Sequence, residues 1–124
     1  MFSFIFYSYE ILSWLQMSSP PVFEIKARLF RVLGHPVRVR ILELLRDGER
    51  AVGALQTELG LDSGATSQHL AALRSVAVVE TRREGTSVLY RIDDPGVFEL
   101  LDAGRAIITR QLTDQQRLLE ELTA

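Results

Sequence analysis

One stretch constrains this chain more than any other. Residues 51–92 read AVGALQTELGLDSGATSQHLAALRSVAVVETRREGTSVLYRI, with apolar residues first at helical spacing and then in β-rich runs. A helix is predicted over 52–59, with Val52, Leu55 and Leu59 inward and Gly60 closing it. Leu61 then supplies an apolar anchor in a tight turn. Asp62 caps a second helix that ends near Ser75, in which Thr66, Leu70 and Leu73 pack inward at i, i+4 and i+7. Residues 78–83 and 87–92 read as strands, with Glu84-Gly85 turning between them and Gly85 taking positive φ. The predicted fold is mainly α with a small β-hairpin: a helix-turn-helix followed by a wing.

The second helix then turns Ser63, Gly64, Ser67, Gln68 and Ala71 outward. A solvated helix of this length usually carries Lys and Glu there. Small neutral groups instead allow close approach to a duplex, and Gln68 can offer two hydrogen bonds to an adenine edge. Arg74 ends the helix, and Arg82 and Arg83 sit beside the hairpin tip, placed for phosphate or minor groove. Each feature also has a plainer reading, as a low-charge surface helix and a solvated hairpin end.

A net charge of −2 looks wrong for a partner of nucleic acid, but its distribution is uneven. Residues 23–92 hold 11 Lys and Arg against 8 Asp and Glu, while residues 93–124 hold 3 against 7. Local charge governs phosphate contact, so the acidic tail does not veto it.

The flanking helices carry more apolar surface than a domain this size needs. Ser19 is placed to cap a helix starting at Pro20 and running to about residue 33. Val22, Ile25, Leu29 and Val32 or Leu33 share one face, widened by Phe23, Ala27 and Phe30. Gly34-His35 breaks it and Pro36 restarts a helix whose core stripe is Val37, Ile41, Leu44 and Leu45, with Arg38, Arg40 and Arg46 outward. Asp47-Gly48 ends that helix, Gly48 supplying a left-handed position. Asp93-Asp94-Pro95 starts a long helix. Val97, Leu101, Ile108 and Leu112 make its stripe, thickened by Phe98, Leu100 and Ile107. Thr113-x-x-Gln116 has the form of a capping box for a last helix bearing Leu118, Leu119 and Leu122. Dimerisation through Val22, Ile25, Leu29, Val97, Leu101, Ile108 and Leu112 is the economical explanation.

Residues 1–16, MFSFIFYSYEILSWLQ, differ in composition from the rest. They are too short to span a bilayer, and they lack a basic n-region and a cleavage site. Either Met17 is the true initiator, or an extra helix here packs on a partner subunit; membrane contact is a third reading. The expected organisation is an apolar extension over 1–19 and one domain over 20–124.

Leu33-Gly34-His35-Pro36-Val37-Arg38-Val39-Arg40-Ile41-Leu42, Ser67-Gln68-His69-Leu70-Ala71-Ala72-Leu73-Arg74 and Arg82-Arg83-Glu84-Gly85-Thr86 with Tyr90 stand in a telling order. In these motifs the chain resembles the ArsR/SmtB group of bacterial winged-helix transcriptional repressors, over roughly residues 23–112. The resemblance implies a recognition helix over the second motif and a wing over the third, with Thr86 at the DNA. It implies a homodimer built from the first and last long helices, binding double-stranded DNA at an imperfect inverted repeat.

The departures from the group concern its inducers. Its sensors of thiophilic metals carry Cys-x-Cys where this chain has Ala51 and Gly53, and the chain has no cysteine. Its zinc-type sensors place Asp and His along the long dimer helix, where this chain has no histidine. His35 and His69, the only histidines, match positions of packing and capping type. No metal site and no cofactor are expected. The lack of cysteine is compatible with a reducing cytoplasm, the expected location. No nucleophile–base pair, phosphate loop or carboxylate pair stands at meaningful spacing, so no enzymatic activity is expected. Two functions stay open: a repressor that reads DNA, and a winged-helix module that regulates through a partner protein.

Overall fold

The computed structural model describes residues 20–124. Helix α1, Val22–Leu33, starts two residues later than predicted, because Pro21 takes the N-cap position with φ −58° and ψ 152°. The predicted cap at Ser19, the Met17 start and the whole 1–19 extension lie outside the described residues. Helix α2, Pro36–Leu44, is capped by His35, whose Nδ1 accepts from the Val37 amide at 3.1 Å. It tightens into a 3₁₀ turn, Leu45–Asp47, and Gly48 follows at φ 133°, a conformation that needs glycine.

Helices α3, Val52–Leu59, and α4, Ser63–Ser75, match the predicted spans. Both end in the same hydrogen-bonded motif. After α3, Gly60 is left-handed at φ 65° and its amide donates to Thr57, while the Leu61 amide donates to Gln56. After α4, the amides of Ala77 and Val78 donate to Arg74 and Leu73 in the same pattern. Here, however, the left-handed residue is Ala77, at φ 58°. The α4 start is capped by Asp62, whose carboxylate accepts from the Ala65 amide at 2.7 Å.

The β structure differs from the prediction in three ways. A two-residue strand β1, Arg50–Ala51, joins β2, Glu80–Glu84, and β3, Ser87–Arg91, in a three-stranded antiparallel sheet of order β1-β3-β2. Val78 and Val79 belong to the core rather than to a strand. Glu84 pairs with Ser87, so the loop is Gly85-Thr86, with positive φ only at Gly85, as in a type II′ turn.

Helix α5, Gly96–Thr123, is continuous over 28 residues, about 42 Å. The expected break at Thr113 does not occur. Its hydroxyl donates within the helix to the Thr109 carbonyl at 2.8 Å. Asp94 receives the Gly96 amide at the start of α5, at 2.8 Å.

The core is a layer of Ile41, Leu42, Leu45, Leu55, Leu70 and Leu73 between α2, α3 and α4, closed by Val79 and Tyr90 from the wing side. Each such side chain contributes about 1.5–3 kcal/mol by leaving water. Thr66, fully buried among them, donates to the Asp62 carbonyl and so leaves no unsatisfied hydroxyl. Val97 also sits in this core at 8% exposure, which removes it from the expected dimer surface. Its position in the first turn of α5 docks that helix on the body before the exposed stripe begins.

Candidate nucleic-acid interface

Helix α4 divides cleanly into two faces. Thr66, Leu70 and Leu73 are buried, while Ser63, Gly64, Ser67, Gln68, Ala71 and Arg74 are exposed. The exposed set has no charged side chain before Arg74. The turns before and after α4 are both fixed by backbone hydrogen bonds.

The wing separates its two arginines. Side chains alternate along a strand, so neighbours Arg82 and Arg83 lie on opposite faces. Arg83 and Thr86 are exposed, and Arg83 has no ion pair among the described residues. Arg82 is engaged: its Nε and Nη2 donate to the two Glu49 oxygens at 2.8 and 2.6 Å, and Nη2 reaches Glu84 at 3.3 Å. That hydrogen bond holds the Glu49 carboxyl below the usual carboxylate range and raises the Arg82 guanidinium. Glu49 is 33 positions from Arg82, and no local pattern in the sequence points to it.

The two histidines meet behind α4, with ring centroids 4.4 Å apart. Arg38, predicted to point outward, is half-buried; it donates to His69 Nδ1 at 3.3 Å and to the Val32 carbonyl at 3.2 Å. Burial, then the neighbouring His35 and Arg38, push the His69 pKa down from its ordinary value. These contacts tie α1, α2 and α4 together. Among the described residues, no three His, Cys, Asp or Glu side chains are grouped to hold a metal ion.

The expected dimer surface is largely open in the protomer. Val22, Ile25, Ile108 and Leu112 are more than half exposed, and Leu29 and Leu101 are half-buried against the core. From Arg105 to the C-terminus every residue is exposed, including Leu118, Leu119 and Leu122. An open groove of about 770 Å³ runs between α1, α2 and α5, lined by Phe30, Leu33, Val39, Leu100, Leu101 and Ile108. Arg46 pins α5 at its rim, donating to Asp102 at 2.7 Å and lying 5.3 Å from the Phe98 ring centre. No helix among the described residues is long and apolar enough to cross a membrane.

Comparison with known proteins places this geometry. Residues 35–81 match the family described as "Bacterial regulatory protein, arsR family". The chain is 43% identical over 109 residues to an uncharacterized HTH-type transcriptional regulator of Mycobacterium tuberculosis, Rv0081, covering 87% of this chain and 96% of the relative. The crystal structure of Rv0081 superposes with a TM-score of 0.72 at 42% identity, over 77% of this chain and 97% of that one. A Mycobacterium bovis fragment, described as a homodimeric winged helix-turn-helix DNA-binding domain, superposes with a TM-score of 0.68 at 37% identity, over 73% and 84%. The biofilm growth-associated repressor of Xylella fastidiosa is 35% identical over 85 residues, 68% of this chain and 75% of its own.

Proposed function

This chain belongs to the ArsR family of bacterial winged helix-turn-helix transcriptional regulators, and from that premise we propose that it is a homodimeric repressor that binds an inverted repeat in double-stranded DNA. The observation that carries the reading is the exposed face of α4, small and neutral over Ser63, Gly64, Ser67, Gln68 and Ala71 and flanked by the exposed Arg74 and Arg83, neither ion-paired among the described residues. Ser67 and Gln68 read base edges; Arg74 and Arg83 hold backbone or minor groove. The open apolar surfaces of α1 and α5 pair two copies about a two-fold axis. The half-sites then lie about 10 base pairs apart centre to centre, or a multiple of that. Occupancy of the operator blocks the promoter.

The release signal in this reading is not a directly bound metal ion. Both histidines use Nδ1 internally, His35 for the Val37 amide and His69 for Arg38, whose guanidinium opposes a cation. Titrating zinc, nickel, cobalt, cadmium and arsenite into the protein–DNA complex leaves it intact on this reading; chelator-reversible dissociation at stoichiometric metal refutes it.

The principal test is fluorescence anisotropy with DNA from immediately upstream of the protein's own reading frame, across a salt series. Affinity falls steeply with salt and exceeds that for a scrambled duplex. Gln68→Ala costs about 1–3 kcal/mol on the specific site and relaxes preference at one position. Unchanged specific binding in this variant rules out the assigned face. Binding to no duplex at any salt, with a partner protein recovered instead, favours a protein-interaction module.

A further inference from the structure

The wing holds two adjacent arginines in different chemical situations. Arg83 is exposed and has no ion pair among the described residues. Arg82 is closed in a two-pronged pair with Glu49, at 2.6 and 2.8 Å, with Glu84 at 3.3 Å on the same nitrogen. The fork geometry uses both carboxylate oxygens of Glu49, the arrangement in which an arginine–carboxylate pair is strongest and most directional. A phosphate would have to displace a carboxylate already in place and leave that carboxylate facing DNA without its cation.

The position of the pair gives it a mechanical role. Glu49 immediately precedes β1, the edge strand that leads into α3, and Arg82 lies on β2, the outer strand at the opposite edge. The middle strand β3 pairs with both, Arg50 opposite Tyr90 on one side and Arg82 opposite Leu89 on the other. The ion pair therefore crosses β3 and ties the outer strand to the body. Only two residues of β1 hold the hairpin to the body through backbone pairing. Val88 and Tyr90 of β3 pack on the core, but β2 has no backbone pairing to the body, so the ion pair is the restraint that reaches the outer strand across the sheet.

The geometry points to Arg82 as a positioning residue and Glu49 as its anchor: together they set the angle of the wing, and Arg83 alone of the two neutralises a phosphate. The inference rests on the DNA-binding reading above and assigns the wing's contact within it. It also makes Glu49, an acidic residue, a contributor to DNA affinity, the opposite of what its charge predicts.

The test separates charge neutralisation from positioning by the salt slope. Full-length wild type, Arg83→Ala, Arg82→Ala, Glu49→Ala and the charge swap Glu49→Arg with Arg82→Glu are titrated into the upstream duplex and a random 30-base-pair duplex. Arg83→Ala flattens the slope of log affinity against log salt by about one unit on both duplexes. Arg82→Ala and Glu49→Ala each lower affinity about fivefold with the slope unchanged. The swap returns affinity to within about twofold of wild type. A slope reduced by about one in Arg82→Ala, or a swap no better than the single variants, overturns the assignment. Amide exchange across β2 and β3 gives a readout without DNA: it rises in both single variants and is restored in the swap. If wild type binds neither duplex while exchange behaves as stated, the DNA reading fails and the tether stands. If wild type binds but exchange is unmoved, the tether fails.

Discussion

Helix α4 is flanked by two copies of one helix-ending motif, and they make opposite predictions. In each, a residue at positive φ donates its amide to the carbonyl three positions back, and the next residue donates to the carbonyl five back. After α3 the left-handed residue is Gly60 at φ 65°; after α4 it is Ala77 at φ 58°. A left-handed conformation costs a residue with a Cβ about 1–2 kcal/mol, and glycine nothing comparable. Ala77→Gly removes that cost but frees the unfolded chain, which takes back about 0.4–1 kcal/mol. The net expectation is a gain of about 0.5–1 kcal/mol. Gly60→Ala reverses the exchange and loses about the same. Beyond its chain neighbours, a Cβ at Gly60 would meet no atom within 4 Å among the described residues, so the loss there is conformational and not a clash. For a chain of this length 1 kcal/mol moves the melting temperature by about 4 °C. Thermal unfolding by circular dichroism at one fixed chain concentration checks both, since the proposed dimerisation makes the midpoint concentration-dependent. Ala77→Gly melting below wild type, or Gly60→Ala melting with it, refutes the reasoning.

Three more expectations follow from single contacts. Asp62→Ala loses the cap on Ala65 and destabilises by about 1 kcal/mol, whereas Asp62→Asn keeps the cap, stays near wild type, and binds DNA more tightly for lack of a carboxylate at the reading face; calorimetry and anisotropy check the pair. Ile108→Glu puts a charge into the apolar seam proposed for the dimer while leaving the protomer core untouched, so sedimentation at micromolar concentration gives folded monomers; a persisting dimer moves the interface elsewhere. His69, whose pKa is lowered by burial and then by His35 and Arg38, binds its proton more readily unfolded than folded. Its contribution is therefore intact above the ordinary histidine value near 6.5 and is lost as pH falls below it. Melting temperature between pH 7.5 and 5 falls more steeply in wild type than in His69→Asn; parallel slopes refute the assignment.

What was legible in the sequence was local. Asp62, Gly60 and the spacing of Thr66, Leu70 and Leu73 settle α3, α4 and the outward face of α4, because caps and helical period act within a few residues. What was not legible was set at a distance. Strand β1 is two residues long, too short to show a period, and exists only because β3 lies beside it. The hairpin turn is one residue later than expected because Glu84 completes its pair with Ser87. The Thr113 signal was real in form, but a helix already running accommodates a threonine by back-bonding to the preceding turn. Arg82 and Arg83 look alike in sequence; only Glu49, brought in from 33 residues away, tells them apart.

The sheet order has a last consequence, for solubility. With β3 in the middle and β1 reduced to two residues, β2 is the longer of the two sheet edges among the described residues. Unpaired strand edges invite other chains to add on, and charged side chains discourage them. Here that edge reads Glu80-Thr81-Arg82-Arg83-Glu84, with four of five residues charged and no aliphatic side chain. The strand proposed to meet DNA thus also guards the protein against stacking wing to wing. Stripping its charges to study binding therefore also removes a barrier to aggregation, and light scattering belongs beside every binding curve from such variants.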